Sequence, residues 1–83
     1  MLSISKILET KDTCRFYKVT DVANMTNTYK VDVWSHGFSN WVNIKTMTAG
    51  CGKAHENNRA YARCFNLYKG IVNNYGDFQN STS

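Results

Sequence analysis

Apolar and polar residues alternate along two segments in the middle of the chain. The apolar positions are Tyr29, Val31, Val33, Val42 and Ile44. A period of two is typical of β-strands that bury one face. Segments 28–34 and 41–47 are therefore predicted to form a β-hairpin, with Gly37 in the short polar loop between them.

The flanking segments predict more strands and one helix. Residues 2–9 are expected to form a strand or a short helix, and residues 14–22, which are rich in Phe, Tyr, Val and Thr, a further strand. From Ala54 onward the spacing of apolar residues changes from two to 3.6, which predicts a long amphipathic helix. Gly76 is the expected stop of that helix.

These elements predict an α+β fold, with an antiparallel sheet of three or four strands and one long C-terminal helix packed on one face. A chain of 83 residues has room for one modest core. Residues 1–76 are predicted to form the single domain and residues 77–83 a flexible tail. The helix is expected to cover the apolar side of the hairpin and to leave the other side open.

Trp34 and Trp41 are out of phase with the apolar positions beside them. If those positions face the helix, both tryptophans lie on the opposite side of the sheet with Lys30 and Lys45. Aromatic rings beside lysines are typical of surfaces that stack bases and neutralise phosphates. Two structural interpretations remain open: a cross-strand Trp pair worth about 0.2–1 kcal/mol, or a one-residue register shift that buries both rings.

The positive charge of the chain adds basic residues of the predicted helix to the candidate binding residues. The formal net charge is +4 and the pI about 9.1, which favours nucleic acid or an acidic partner, or merely keeps the protein in solution. Arg59 and Arg63 lie one turn apart on the polar side of the predicted helix, where they contact phosphates or are simply solvated. The candidate binding residues are Lys30, Trp34, His36, Trp41, Lys45, Arg59 and Arg63.

Neither a reaction nor a cofactor is predicted from the remaining residues. Cys14, Cys51 and Cys64 are odd in number, which argues against a disulfide framework, and their spacing to His55 does not match a structural zinc site. The segment 50–53 resembles a phosphate loop only superficially, so it is a weak anion site or a flexible loop. With no signal-like or membrane-spanning segment, we expect a non-enzymatic cytoplasmic protein with reduced thiols and no membrane partner.

Part of the chain resembles AP2-type DNA-binding domains. The run Arg-Ala-Tyr-Ala-Arg at 59–63, followed by Gly70, looks like the helix of that family, and segments 29–30 and 41–42 are similar to its first two strands. The resemblance implies a three-stranded sheet backed by a helix, as in the N-terminal domain of some phage integrases, with the sheet in the major groove. It would make Lys30, Trp34, Trp41 and Lys45 the residues that read DNA. The family's third strand has no room before this helix, so an N-terminal strand would replace it.

In size, lack of proline and layout, the chain also resembles small accessory proteins of bacteriophages, including anti-CRISPR and other anti-defence proteins. The leading hypothesis is a nucleic-acid-binding module for RNA or DNA. The alternative is a phage-type inhibitor, anti-CRISPR-like or antitoxin-like, that blocks a host defence protein or nucleic-acid-processing complex through the same tryptophans. A homodimer that buries the tryptophans is a third possibility.

Overall fold

A computed structural model describes the backbone of residues 3–11 and 13–82 and the side chains of residues 3–11 and 13–73. The elements are β1 (Ser3–Lys11), β2 (Cys14–Asp21), β3 (Thr26–Ser35), β4 (Asn40–Gly50) and α1 (Ala54–Thr82). The strands form one antiparallel sheet in the order β1-β2-β3-β4. Helix α1 packs across β2, β3 and β4 on one face. The predicted α+β fold is confirmed.

The core lies between α1 and the helix-facing side of the sheet. It consists of Cys14, Phe16, Tyr29, Val31, Ala60, Cys64 and Tyr68. The three helical members are spaced by four residues, so they share one side of α1. Phe16 is fully buried, and its ring centre lies 5.2 Å from that of Tyr61 and 6.3 Å from that of Phe65. Helix packing therefore fixes which side chains of each strand point inward.

A β-bulge in β4 changes the predicted alternation. Val31 lies opposite Lys45, whereas the next residue of β3 lies opposite Asn43, so Ile44 is an extra, unpaired residue. Lys45 consequently shares the helix-facing side with Val31, and its predicted place beside the tryptophans is wrong. The predicted burial of Val42 and Ile44 is also wrong, since they remain 37% and 41% exposed.

The helix continues through Gly76 to Thr82, so the stop expected at Gly76 is not observed. Glycine ends a helix where it adopts a left-handed conformation, and elsewhere a helix tolerates it at a cost of about 1 kcal/mol. The expectation of a flexible tail at 77–83 concerns residues whose side chains lie outside the described part of the chain.

The side chain of Asn57 fastens the start of α1 to the sheet. Its Oδ1 accepts hydrogen bonds from the Tyr29 hydroxyl and from Asn27 Nδ2, both at 2.9 Å. Its Nδ2 donates to the carbonyl oxygens of Gly50 and Lys53, both at 2.7 Å. One amide thus joins β3, the end of β4 and the first turn of the helix, which sets the position of α1 over the sheet.

Candidate binding site on the open face of the sheet

Trp34 and Trp41 lie on the side of the sheet that faces away from α1, which we call the open face. They are directly opposite each other in β3 and β4. Their ring centres are 5.6 Å apart and the planes are inclined by 76°, an edge-to-face arrangement that aromatic pairs favour. Both side chains are half-buried. The tryptophans are therefore outside the core, but they are not free of contacts.

Arg15 occupies the space beside the tryptophan pair. Its guanidinium carbon lies 4.2 Å from the centre of the Trp41 ring and 5.2 Å from that of Tyr17. Its Nε and Nη2 donate to the same carboxylate oxygen of Asp32 at 3.1 and 3.0 Å. A cation so close to two ring faces gains cation–π energy in addition to the ion pair. The aromatic–arginine cluster consists of these four residues and Trp34.

Asp32 is the most deeply buried charged residue of the aromatic–arginine cluster and is only 3% exposed. Its second carboxylate oxygen accepts a hydrogen bond from Asn43 Nδ2 at 2.9 Å. Asn43 sits at the bulge, where the same nitrogen also lies within hydrogen-bond distance of the carbonyl oxygens of Val31 and Lys45. Both oxygens of the buried carboxylate are thus paired. The hydrogen bonds to Asp32 use Nε and Nη2, and the Arg15 side chain remains 31% exposed, so part of the guanidinium is available to a ligand.

Burial also sets the protonation of nearby groups. Burial, and secondarily the Asp32 carboxylate, raises the pKa of Tyr17, so its hydroxyl stays a neutral hydrogen-bond donor. Burial likewise raises the pKa of the Cys14 and Cys64 thiols, whereas Cys51 is exposed. The two buried thiols are protonated at neutral pH and are poor nucleophiles. Within residues 3–11 and 13–73, no three His, Cys, Asp or Glu side chains converge as a metal site would require.

The structure separates the residues predicted for the binding site. Lys30 lies on the open face opposite Tyr17, four residues before Trp34 in β3. His36 is exposed in the turn between β3 and β4. Arg59 and Arg63 are exposed on α1, whereas the residues that follow each of them, Ala60 and Cys64, are buried against the sheet. The two arginines therefore point away from the sheet and cannot act with the tryptophans on one ligand.

Sequence reasoning missed Arg15, Tyr17 and Asp32 as members of the site. The alternation of Arg15 and Tyr17 with Cys14 and Phe16 signals that the two polar residues share one face of β2. Which face of the neighbouring strand they join depends on the register between β2 and β3, which alternation within one strand does not specify.

The open face carries balanced charge. By strand register it presents two cations, Arg15 and Lys30, and two anions, Asp21 and Asp32. The other eight Lys and Arg residues lie on the helix-facing side of the sheet, in the loop before α1 or on α1 itself. They are Lys6, Lys11, Lys18, Lys45, Lys53, Arg59, Arg63 and Lys69. The positive charge of the protein is therefore concentrated away from the tryptophans.

Two exposed apolar side chains extend the surface around the aromatic–arginine cluster. Ile7, which lies opposite Tyr17 on β1, is 53% exposed. Phe38 in the turn between β3 and β4 is 81% exposed. A partner that covers the tryptophans would meet apolar surface on neighbouring elements as well.

Comparisons with protein families, curated proteins and solved structures found no match for this chain. No helix among the described residues is both long and apolar enough to cross a membrane.

Proposed function

We propose that this protein is a small non-catalytic module that docks on another protein through its open face. The observation that carries the proposal is the aromatic–arginine cluster on a face without net charge. Trp, Tyr and Arg are the residues most enriched among those that dominate binding energy at protein interfaces. Such a module acts by occupying a surface of a larger protein, as an inhibitor or an adaptor.

The charge balance favours protein over nucleic acid as the partner of this face. Nucleic-acid binding draws most of its affinity from cations that neutralise phosphates. On the open face, Arg15 is already paired with Asp32, which leaves Lys30 beside the cluster as the cation without a carboxylate partner among the described residues. A protein partner needs no such excess of charge, because burial of aromatic surface supplies the energy.

The size of the open face fits a small interface. Strands of about ten residues span roughly 34 Å, and four strands roughly 19 Å, which gives an area on the order of 650 Å². Standard interfaces bury about 800 Å² on each partner. The exposed Phe38 turn at one end adds to the apolar surface that a partner can cover.

Pre-organisation adds to the suitability of Arg15 as an anchor. Its guanidinium is held between Asp32, Tyr17 and Trp41 before any partner arrives, so binding costs little side-chain entropy. The exposed part of the guanidinium suits a carboxylate or carbonyl oxygen of the partner. The three free thiols support a cytoplasmic location, which stays part of the proposal.

A comparison of two double variants tests the proposal. Tagged wild-type protein, Trp34→Thr/Trp41→Thr and, as a control on the opposite face, Lys6→Gln/Lys18→Gln would be expressed in native cells and purified with their partners. Threonine keeps a β-branched residue in the strands, and circular dichroism would verify the fold. We expect a discrete protein that copurifies with the wild type and the control but not with the Trp variant.

The same copurification experiment distinguishes docking through the open face from other modes of binding. Recovery of the same protein with the Trp variant, or of nucleic acid alone with the wild type, would contradict docking through the open face. If the partner is a second copy of this chain, sedimentation at several concentrations should show a dimer that the Trp variant cannot form.

A further inference from the structure

A second surface lies on the other side of the sheet, where β1 extends beyond the helix. Helix α1 packs on β2, β3 and β4, and Leu8 alone among the residues of β1 is partly buried. The exposed side of α1 and the helix-facing side of β1 and β2 border this surface. We call it the β1–α1 shelf, and its residues are Lys6, Lys18, Tyr61, Phe65 and Lys69.

Two lysines of the shelf face each other, and neither forms an ion pair with a described carboxylate. Lys6 and Lys18 are direct cross-strand partners on the helix-facing side, where Cβ atoms are about 5 Å apart and like charges are unfavourable. The Arg15–Asp32 pair is the one ion pair among the described residues, so neither lysine has a carboxylate within 4.0 Å. Glu9 lies one position further along the same side, opposite Phe16. An external anion would relieve this repulsion.

Aromatic rings continue the shelf along the helix. Lys18 is opposite Tyr29, whose ring meets that of Tyr61 edge-on at 6.4 Å between centres. Tyr61 is 38% exposed. One turn later along α1, Lys69 makes a cation–π contact with Phe65, with its Nζ 5.6 Å from the ring centre. Tyr61 and Lys69 are eight residues apart, or roughly 12 Å along the helix.

We propose that the β1–α1 shelf binds single-stranded nucleic acid. Lys6, Lys18 and Lys69 supply the positive charge that the phosphates require, and Tyr61 presents a ring on which a base can stack. Stacking on an exposed ring requires an unpaired base, which favours a single strand over a duplex. An acidic peptide would satisfy the lysines but make no comparable use of the ring. This site is separate from the open face and does not depend on the proposed docking there.

The test uses two double variants of equal charge. Lys6→Gln/Lys18→Gln removes two cations from the shelf, and Arg59→Gln/Arg63→Gln removes two from the outer side of α1. Binding of a fluorescent twelve-nucleotide oligo-dT and oligo-U would be measured by anisotropy at several salt concentrations. In the lysine variant we expect Kd to rise on the order of tenfold at low salt and the salt slope to fall by about 1.4, since each phosphate contact contributes about 0.7. The arginine variant should bind nearly as the wild type does.

A third variant tests the ring. Tyr61→Leu keeps apolar packing on Phe16 and should weaken binding roughly tenfold with an unchanged salt slope. Urea unfolding distinguishes binding from folding, because loss of the Lys6–Lys18 repulsion should leave stability equal or higher.

Three results would overturn the proposal: no binding of either oligonucleotide by the wild type at 50 mM salt, equal losses in the two double variants, or displacement of the oligonucleotide by a poly-Glu peptide at the same concentration. The last would identify the shelf as a site for acidic peptides. None of these variants changes the open face, so failure here leaves the docking proposal intact.

Discussion

Removal of Arg15 should destabilise the protein more than removal of the negative charge of Asp32, although the two residues form one ion pair. The reason is their unequal burial. The Asp32 side chain is 5% exposed and the Arg15 side chain 31%. When Arg15 is replaced by leucine, the carboxylate stays buried without its cation, and the side-chain donors that remain to it, Asn43 Nδ2 and the Tyr17 hydroxyl, are neutral. When Asp32 becomes asparagine, the arginine can regain water.

The magnitudes follow from this asymmetry. A buried charge left without its partner costs about 3 kcal/mol or more, and Arg15→Leu also loses the contact with the Trp41 ring at 4.2 Å, worth about 0.5–1 kcal/mol. Asp32→Asn keeps an acceptor for one donor and should cost about 1 kcal/mol. For a domain of this size, 1 kcal/mol lowers Tm by roughly 4–8 °C. We therefore expect Tm to fall by about 12 °C or more in Arg15→Leu.

Urea unfolding followed by tryptophan fluorescence and by far-ultraviolet circular dichroism measures both variants. Trp41 contacts Arg15 directly, so the fluorescence reports on the cluster while the dichroism reports on the whole fold. Arg59→Leu is the matched control, because Arg59 is exposed and has no ion pair among the described residues; it should change stability by less than about 0.5 kcal/mol. A larger loss in Asp32→Asn than in Arg15→Leu would refute the argument from burial.

Three further predictions concern the rest of the fold. A thiol reagent should modify the exposed Cys51 quickly, and Cys14 and Cys64 only on unfolding. Because burial raises the pKa of both buried thiols, their contribution to stability should be full below about pH 8.5 and decline as the pH rises further. Urea denaturation at pH 7 and pH 10 would measure this decline. Asn57→Ala leaves the hydrogen-bond partners of the amide unpaired and should cost about 1–3 kcal/mol in urea unfolding, whereas an unchanged midpoint would contradict its role. Deletion of Ile44 removes the extra residue of the bulge and should preserve cooperative unfolding and the dichroism spectrum, and loss of the folded state would show that the bulge is essential.

The class of fold was predictable because its signals are local. Period two in the hairpin, period 3.6 after Ala54 and β-forming residues in 14–22 each define an element without knowledge of its neighbours. The placement of Trp34 and Trp41 away from the helix follows from the same alternation. Such patterns persist because one face of each element must be buried.

The composition of the candidate site was less predictable because it depends on contacts between elements. Arg15 reaches Asp32 across 17 residues of sequence, and the cluster forms only when β2 pairs with β3 in the observed register. Arg59 and Arg63 illustrate the opposite error, in which residues predicted to share a site lie apart in the structure. A basic row on a helix resembles a binding surface in sequence, yet the sheet separates it from the tryptophans.

The bulge in β4 decides the net charge of the open face, and the pairing of β4 with β3 requires it. Val42 and Met47 both lie opposite helix-facing residues of β3, but five positions separate them. In a regular strand, residues an odd number apart face opposite sides, so one irregularity is required between them. Without it, Lys45 would join Lys30 beside the tryptophans and make this face basic, as a surface for nucleic acid should be. With it, Lys45 faces α1 near Cys64, the open face stays neutral, and aromatic burial becomes its main source of binding energy. The same extra residue thereby places the charge of Lys45 on the side of the sheet that holds the β1–α1 shelf.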